Sequence, residues 1–143
     1  MITLAAASAD SPALPAAFFE RWTDHATWTS WDTDTEWVTL DGPVAVGTRG
    51  VLKPKGGPKA KFFISALERD RVYTDTSLFP GARLVFEHIA ERRGDSTHLE
   101  VTVTMTGPLA RLWAGILRKG FAKSVPAGLE RLVAIVEGAH SVR

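Results

Sequence analysis

The sequence predicts an α+β fold: a curved antiparallel sheet of about seven strands, two short helices near the N-terminus, and a long C-terminal helix. Three observations predict it. Between Thr35 and Met105 the chain reads as six strand-like runs separated by turn residues. The breaks are too short for parallel crossovers, which take a dozen or more residues, so neighbouring runs must pair antiparallel. After Pro108 the apolar period changes from two to three and four, and it holds to about Gly138.

Each element has its own signal. Ile2, Leu4 and Ala6 alternate with Thr3, Ala5 and Ala7, a short strand. Ser11-Pro12 reads as a helix start, since Ser caps and Pro is tolerated at the first helical position. Phe18, Phe19 and Trp22 give that helix an apolar side, and a second helical piece covers Asp24 to Trp28. The expected strands are Thr35–Leu40, Thr48–Lys53, Lys59–Leu67, Arg71–Leu78, Ala82–Glu91 and Thr97–Thr106. Breaks fall at Asp41-Gly42-Pro43, Gly56-Gly57-Pro58, Glu68–Asp70, Pro80-Gly81 and Arg93–Ser96.

Faces follow from the last hairpin. With Arg93-Gly94-Asp95-Ser96 as the loop, Arg92 opposes Thr97, Phe86 opposes Val103 and His88 opposes Val101. Leu84, Phe86, His88, Leu99, Val101, Val103 and Met105 then share the inner side, because a one-residue slip would turn all of them outward. In the preceding hairpin Phe62, Ile64, Ala66 and Tyr73 are expected inside. In the last segment Leu109, Leu112, Trp113, Ile116, Leu117, Phe121, Leu129, Leu132, Val133 and Val136 form the helical stripe. Pro126 lies within it and predicts a bend. The stripe keeps its phase beyond Pro126, so one helix is expected, with Gly138 as its stop.

Composition bounds the function. The chain has 143 residues, the usual size of one domain, and 45% hydrophobic residues, enough to build a core. Its formal net charge is +1, so no global field draws in nucleic acid or acidic lipid. Cysteine is absent, which excludes disulfides, thiolate nucleophiles and Cys-based zinc sites. The apolar run Ile2–Ala9 lacks a basic start and is interrupted by Asp10 and Pro12, unlike a secretory signal. No stretch reaches the length of a transmembrane helix. A cytoplasmic protein without integral membrane association is expected, as a monomer or weak homodimer.

The whole chain also resembles a known family. The residues that carry the likeness are Phe18 and Phe19, Trp28-Thr29-Ser30-Trp31-Asp32, Val46-Gly47-Thr48-Arg49-Gly50 and Glu68-Arg69-Asp70-Arg71. Phe86 with His88, Gly94 to Thr97, and Gly107-Pro108-Leu109 before the closing helix complete it. In this order they resemble the START-like (SRPBCC) helix-grip superfamily, also called START/Bet v 1-like, in its polyketide cyclase/dehydrase-like branch. The resemblance implies a single START-like domain over 1–143. It implies a cavity between sheet and helix for lipids, polyketides or aromatic metabolites. It implies no single reaction and no cofactor.

The candidate ligand-binding residues are Trp28, Trp31, Phe62, Ile64, Tyr73, Leu84, Phe86, His88, Val101, Trp113, Leu117 and Phe121, a greasy set with a few polar handles. Ordinary core packing is the competing reading for each. His88 has two roles open to it: orienting a ligand or acting as a general base, or sitting buried against backbone, Tyr73 or water. The second is favoured, because a lone inward His is weak evidence of catalysis. Tyr73 and Arg49 are its candidate catalytic companions, although an acidic partner such as Asp32 or Glu36, or simply water, is also open to Arg49. His25, His88, His98 and His140 are scattered, with His88 and His98 expected on opposite faces, so no metal site is expected. No nucleophile elbow and no close inner carboxylate pair is visible. Lys53, Lys55, Lys59 and Lys61 read as a solvated hairpin tip. Arg118, Lys119 and Lys123 read as a solvated helix face, with contact to an acidic membrane as the alternative. A small apolar molecule is thus the expected partner. The alternatives are a cyclase/dehydrase-type enzyme and a stress-related or partner-binding module.

Overall fold

A computed structural model describes residues 1–141. The elements are β1 (Ile2–Ser11), α1 (Pro15–Thr23), a 3₁₀ helix (His25–Ser30), β2 (Thr35–Leu40), β3 (Arg49–Pro54), β4 (Ala60–Glu68), β5 (Val72–Phe79), β6 (Ala82–Arg93), β7 (Ser96–Thr106) and α2 (Ala110–Ser141). The seven strands form one curved sheet in the order β1-β7-β6-β5-β4-β3-β2, antiparallel throughout. The meander from β2 to β7 follows the expected order. The N-terminal strand then pairs with the last one, Ala7 opposite Val101.

Register in the last hairpin is as expected: Phe86 pairs with Val103, His88 with Val101 and Arg92 with Thr97. Pairing continues to Arg93 and Ser96, so the loop is only Gly94-Asp95, with Gly94 at φ +61°. Two-residue hairpin turns need such left-handed residues to match the strand twist. Leu84, Leu99, Val101, Val103 and Met105 are buried on the inner face.

Four further expectations change. The first helix starts at Pro15, not Pro12, because Ser11 stays in β1, where its Oγ accepts the Ala13 N–H (3.2 Å) and donates to Glu137 (2.8 Å). The second helical piece is the 3₁₀ helix His25–Ser30. Ala66 is not inside: a bulge between Ile64 and Ala66 shifts the register, so Ala66 pairs with Thr74 and Leu67 joins Tyr73 on the inner face. The long helix passes Gly138 and reaches Ser141, since a glycine weakens a helix interior by about 1 kcal/mol without necessarily ending it. It is one helix through Pro126, as the phase of its stripe predicts.

At roughly 1.5 Å per residue, 32 residues span about 48 Å. α2 lies chiefly over β1 and touches β7 and β6 less. Its second half packs Leu129, Leu132 and Val136 with Phe18, Trp22, Trp28, Trp31, Ile64, Tyr73 and Leu99. Its first half packs Ala110 and Ala114 on Leu4, Leu84, Val103 and Met105.

Gly50 makes room on the β3 side. A Cβ there would meet the Thr39 carbonyl and sit 2.6 Å from Phe62 Cζ. Gly50→Ala is therefore expected to cost about 1–3 kcal/mol by overpacking, read as a lower midpoint in urea unfolding. An unchanged midpoint would mean that both the Thr39 carbonyl and the Phe62 ring give way freely.

Candidate functional site

The inner face of β5 carries polar residues. From Tyr73 the period of two brings Asp75 and then Ser77 to the same side, each buried. Tyr73 and Asp75 lie opposite His88 and Phe86, and Ser77 lies opposite Leu84. The Tyr73 hydroxyl donates to Asp75 Oδ2 (3.0 Å) and lies 2.8 Å from His25 Nε2. The result is a buried chain, His25 to Tyr73 to Asp75.

Electrostatics make Asp75 unusual. Burial pushes its carboxyl up to about 7; the Tyr73 hydrogen bond opposes that and the nearby Asp32 charge adds to it. Burial also raises Asp32, which accepts from Thr35 Oγ1 (2.8 Å). The Tyr73 phenol is pushed above its ordinary range, chiefly by burial, so it stays protonated. Burial lowers His25 and pushes His88 down to about 4, so both imidazoles are neutral at pH 7. Neutral groups cost far less to bury than charged ones.

The expected lining residues divide into two sets. Trp28, Trp31, Ile64, Tyr73 and Val101 belong to the packed cluster under α1 and the second half of α2. Trp28 stacks on His25 (4.4 Å between centroids) and donates its Nε1–H to the Trp22 carbonyl (3.0 Å). Phe62 is buried beside His25 (6.1 Å). His88 sits between the Trp22 and Tyr73 rings, and its Nδ1 lies 3.1 Å from the Tyr73 carbonyl, which is the buried, backbone-bonded role favoured for it.

The second set is less enclosed. Phe86, Trp113, Leu117 and Phe121 are half-buried around Leu84, where the first half of α2 faces β6. Phe86 and Phe121 meet edge to face at 5.5 Å. Trp113 packs on Phe79 at 5.0 Å and donates to the Pro80 carbonyl (2.8 Å). Phe86 is also the cross-strand partner of Asp75, which puts the acid beside this looser region.

Other candidates lie elsewhere. Arg49 is exposed and pairs with Phe63, on the opposite face from Gly50, so it is no companion for His88. Glu36 pairs instead with Lys53 (3.2 Å). His98 is on the outer face with Asp10 (2.9 Å) and Glu100 (3.1 Å). The His140 side chain lies outside the described residues. Among those described, no helix is long and apolar enough to cross a membrane. A polar cleft of 280 Å³ separates Asp32, Thr33 and Asp34 from Lys123, Ser124 and Arg131 of α2.

No protein-family model and no curated protein sequence matches the chain. Solved structures do match in shape. The Zhui aromatase/cyclase from Streptomyces sp. R1128 superposes with a TM-score of 0.75 at 16% identity, covering 96% of this chain and 94% of that one. TTHA0849 from Thermus thermophilus gives 0.72 at 17% identity, covering 94% and 97%. Ara h 8.0201 gives 0.66 at 14% identity, covering 93% and 96%. The chain has the helix-grip fold. At these identities the similarity establishes architecture, and the site rests on this chain's own residues.

Within the helix-grip fold, sequence reasoning missed His25, Asp75 and Ser77. The period of two that put Tyr73 inside also points to Asp75 and Ser77. His25 had no such signal, because its partner is 48 residues away.

The raised Asp75 couples stability to pH. Its carboxyl ionises near 3.8 unfolded and about 7 folded, so its contribution is complete below 3.8 and is lost as pH rises to about 7. Asp75→Asn has no such loss. Relative to wild type it should gain roughly 2–4 kcal/mol between pH 4 and 7.5 in urea unfolding. A difference that does not change with pH would mean that Asp75 is ionised in the folded protein.

Proposed function

We propose that the chain binds a small apolar molecule, a lipid, polyketide or aromatic metabolite, between the curved sheet and the first half of α2. The observation that carries this reading is the half-buried set Phe86, Trp113, Leu117 and Phe121, supplied by both layers and left partly accessible. Apolar walls with a few fixed polar groups are the usual make-up of a ligand site. Asp75 and Ser77 supply the polar groups, and below about pH 7 the neutral acid can donate a hydrogen bond to a ligand oxygen.

The occupant is testable directly. Native mass spectrometry of protein purified from its own host should show a bound apolar molecule. The uncharged probe N-phenyl-1-naphthylamine should bind the emptied protein with enhanced fluorescence. Phe121→Arg should weaken that binding at least about tenfold while leaving the melting temperature nearly unchanged, because Phe121 is only half-buried. Wild-type protein that carries nothing and binds no probe would refute the reading.

A second reading, cyclase/dehydrase-type catalysis, is favoured by the chain His25–Tyr73–Asp75. Here Asp75, rather than His88, is the acid–base group, since its proton affinity lies near working pH. This reading expects Asp75→Asn protein to carry a molecule that differs from the wild-type occupant by one water or one ring closure. The same occupant in both proteins speaks for binding alone.

A further inference from the structure

Along the first half of α2, Leu109, Leu112, Ile116, Lys119 and Lys123 follow one another at steps of three and four, in one row on one side of the helix. Leu109, just before α2 begins, is 43% exposed; Leu112 and Ile116 are 59% and 61% exposed. Both lysines are exposed as well. Leu109 lies against Gly81, where an added Cβ would meet its side chain, so the apolar row runs on to the β5–β6 turn. Leu78, just before that turn, is 45% exposed.

The charge on this stretch of chain has one sign, although Asp32 and Asp34 face Lys123 across the polar cleft. From residue 101 to 129 the chain carries Arg111, Arg118, Lys119 and Lys123 and no Asp or Glu. A net charge of +1 for the whole chain therefore hides a local excess of four cations. Arg111 and Arg118 lie on a neighbouring side of the helix, where Arg118 also reaches the Thr3 carbonyl (3.4 Å).

We propose that this row docks the protein on an anionic lipid surface. Leu109, Leu112 and Ile116 enter the boundary between headgroups and acyl chains, and Lys119 and Lys123 reach lipid phosphates from their long stems. Exposed leucine and isoleucine in line with lysines, with no acid on the same stretch of helix, is the pattern such interfaces select. A second copy fits the row less well, because two-fold pairing would bring lysines close to like charges. The adjacent flank carries Trp113 and Leu117. A molecule leaving the space under α2 would therefore meet lipid beside its exit. The docking itself does not depend on that occupant.

The test is flotation of the full chain with phosphatidylcholine vesicles, with and without about one third phosphatidylglycerol. Binding should appear with the anionic vesicles only, and should fall at least about tenfold in 0.5 M salt. Leu112→Asp with Ile116→Asp, and separately Lys119→Glu with Lys123→Glu, should each weaken it by about tenfold or more. All four positions are exposed, so folding should survive, as circular dichroism will report. Absence of flotation overturns the proposal. So does flotation that the Leu112 and Ile116 changes leave intact, which would mean charge attraction alone. A stable dimer that Ile116→Asp dissolves overturns it too, since a second copy would then cover the row.

Discussion

The Tyr73 side chain joins the sheet to the elements that cover it. It is fully buried, and its hydroxyl holds Asp75 within the sheet and His25 in the 3₁₀ helix. Its backbone carbonyl lies against His88 Nδ1, and its ring contacts Trp28 edge on. Moving Tyr73 would therefore disturb the β5–β6 pairing, the seat of the 3₁₀ helix and the polar chain together. Buried polar networks carry this kind of dependence, because each unmet hydrogen bond costs a desolvation that no neighbour repairs.

The same burial sets charge in two opposite directions. It holds His88 neutral by lowering its proton affinity and holds Asp75 neutral by raising it. The His88 contribution to stability is complete above about 6.5 and is lost as pH falls to about 4. The Asp75 contribution is complete at low pH and fades as pH climbs to about 7. Between pH 4 and 6.5 the two changes oppose each other. Near neutrality the interior keeps one carboxyl at the edge of ionisation, beside groups that carry no charge to pair with it.

How much of this was legible in the sequence depends on the range of the interactions. Leu84, Phe86, Leu99, Val101, Val103 and Met105 were placed correctly, because a tight hairpin and a period of two determine a face locally. Ala66 was misplaced, since a bulge adds a residue without any change in composition to mark it. The start of α1 was misread because Ser11 followed by Pro12 looks like a cap, while the Ser11 hydroxyl is taken by Ala13 and by the distant Glu137. Asp75 was within reach of the alternation that placed Tyr73. His25 was not, because six residues of 3₁₀ helix have too little periodicity to give a side chain a direction.

The two halves of α2 differ for one physical reason. Past Pro126 the helix meets α1, the tryptophans Trp22, Trp28 and Trp31, and the inner sheet, so Leu129, Leu132 and Val136 are buried. Before Pro126 small residues, Ala110 and Ala114, bring it close to β1 and β7, while larger ones stand at the flank with less to cover them. Trp113 and Leu117 are half-buried, and Leu112 and Ile116 are exposed. Full burial of a leucine or isoleucine side chain is worth about 1.5–3 kcal/mol, so an uncovered row forgoes stability that the second half of the helix gains. That deficit is confined to the half that borders both the looser inner region and the four cations. Greasy side chains left half-covered on the inside, and uncovered beside positive charge on the outside, are what the inner and outer faces of a lid need if an apolar cargo is exchanged with lipid.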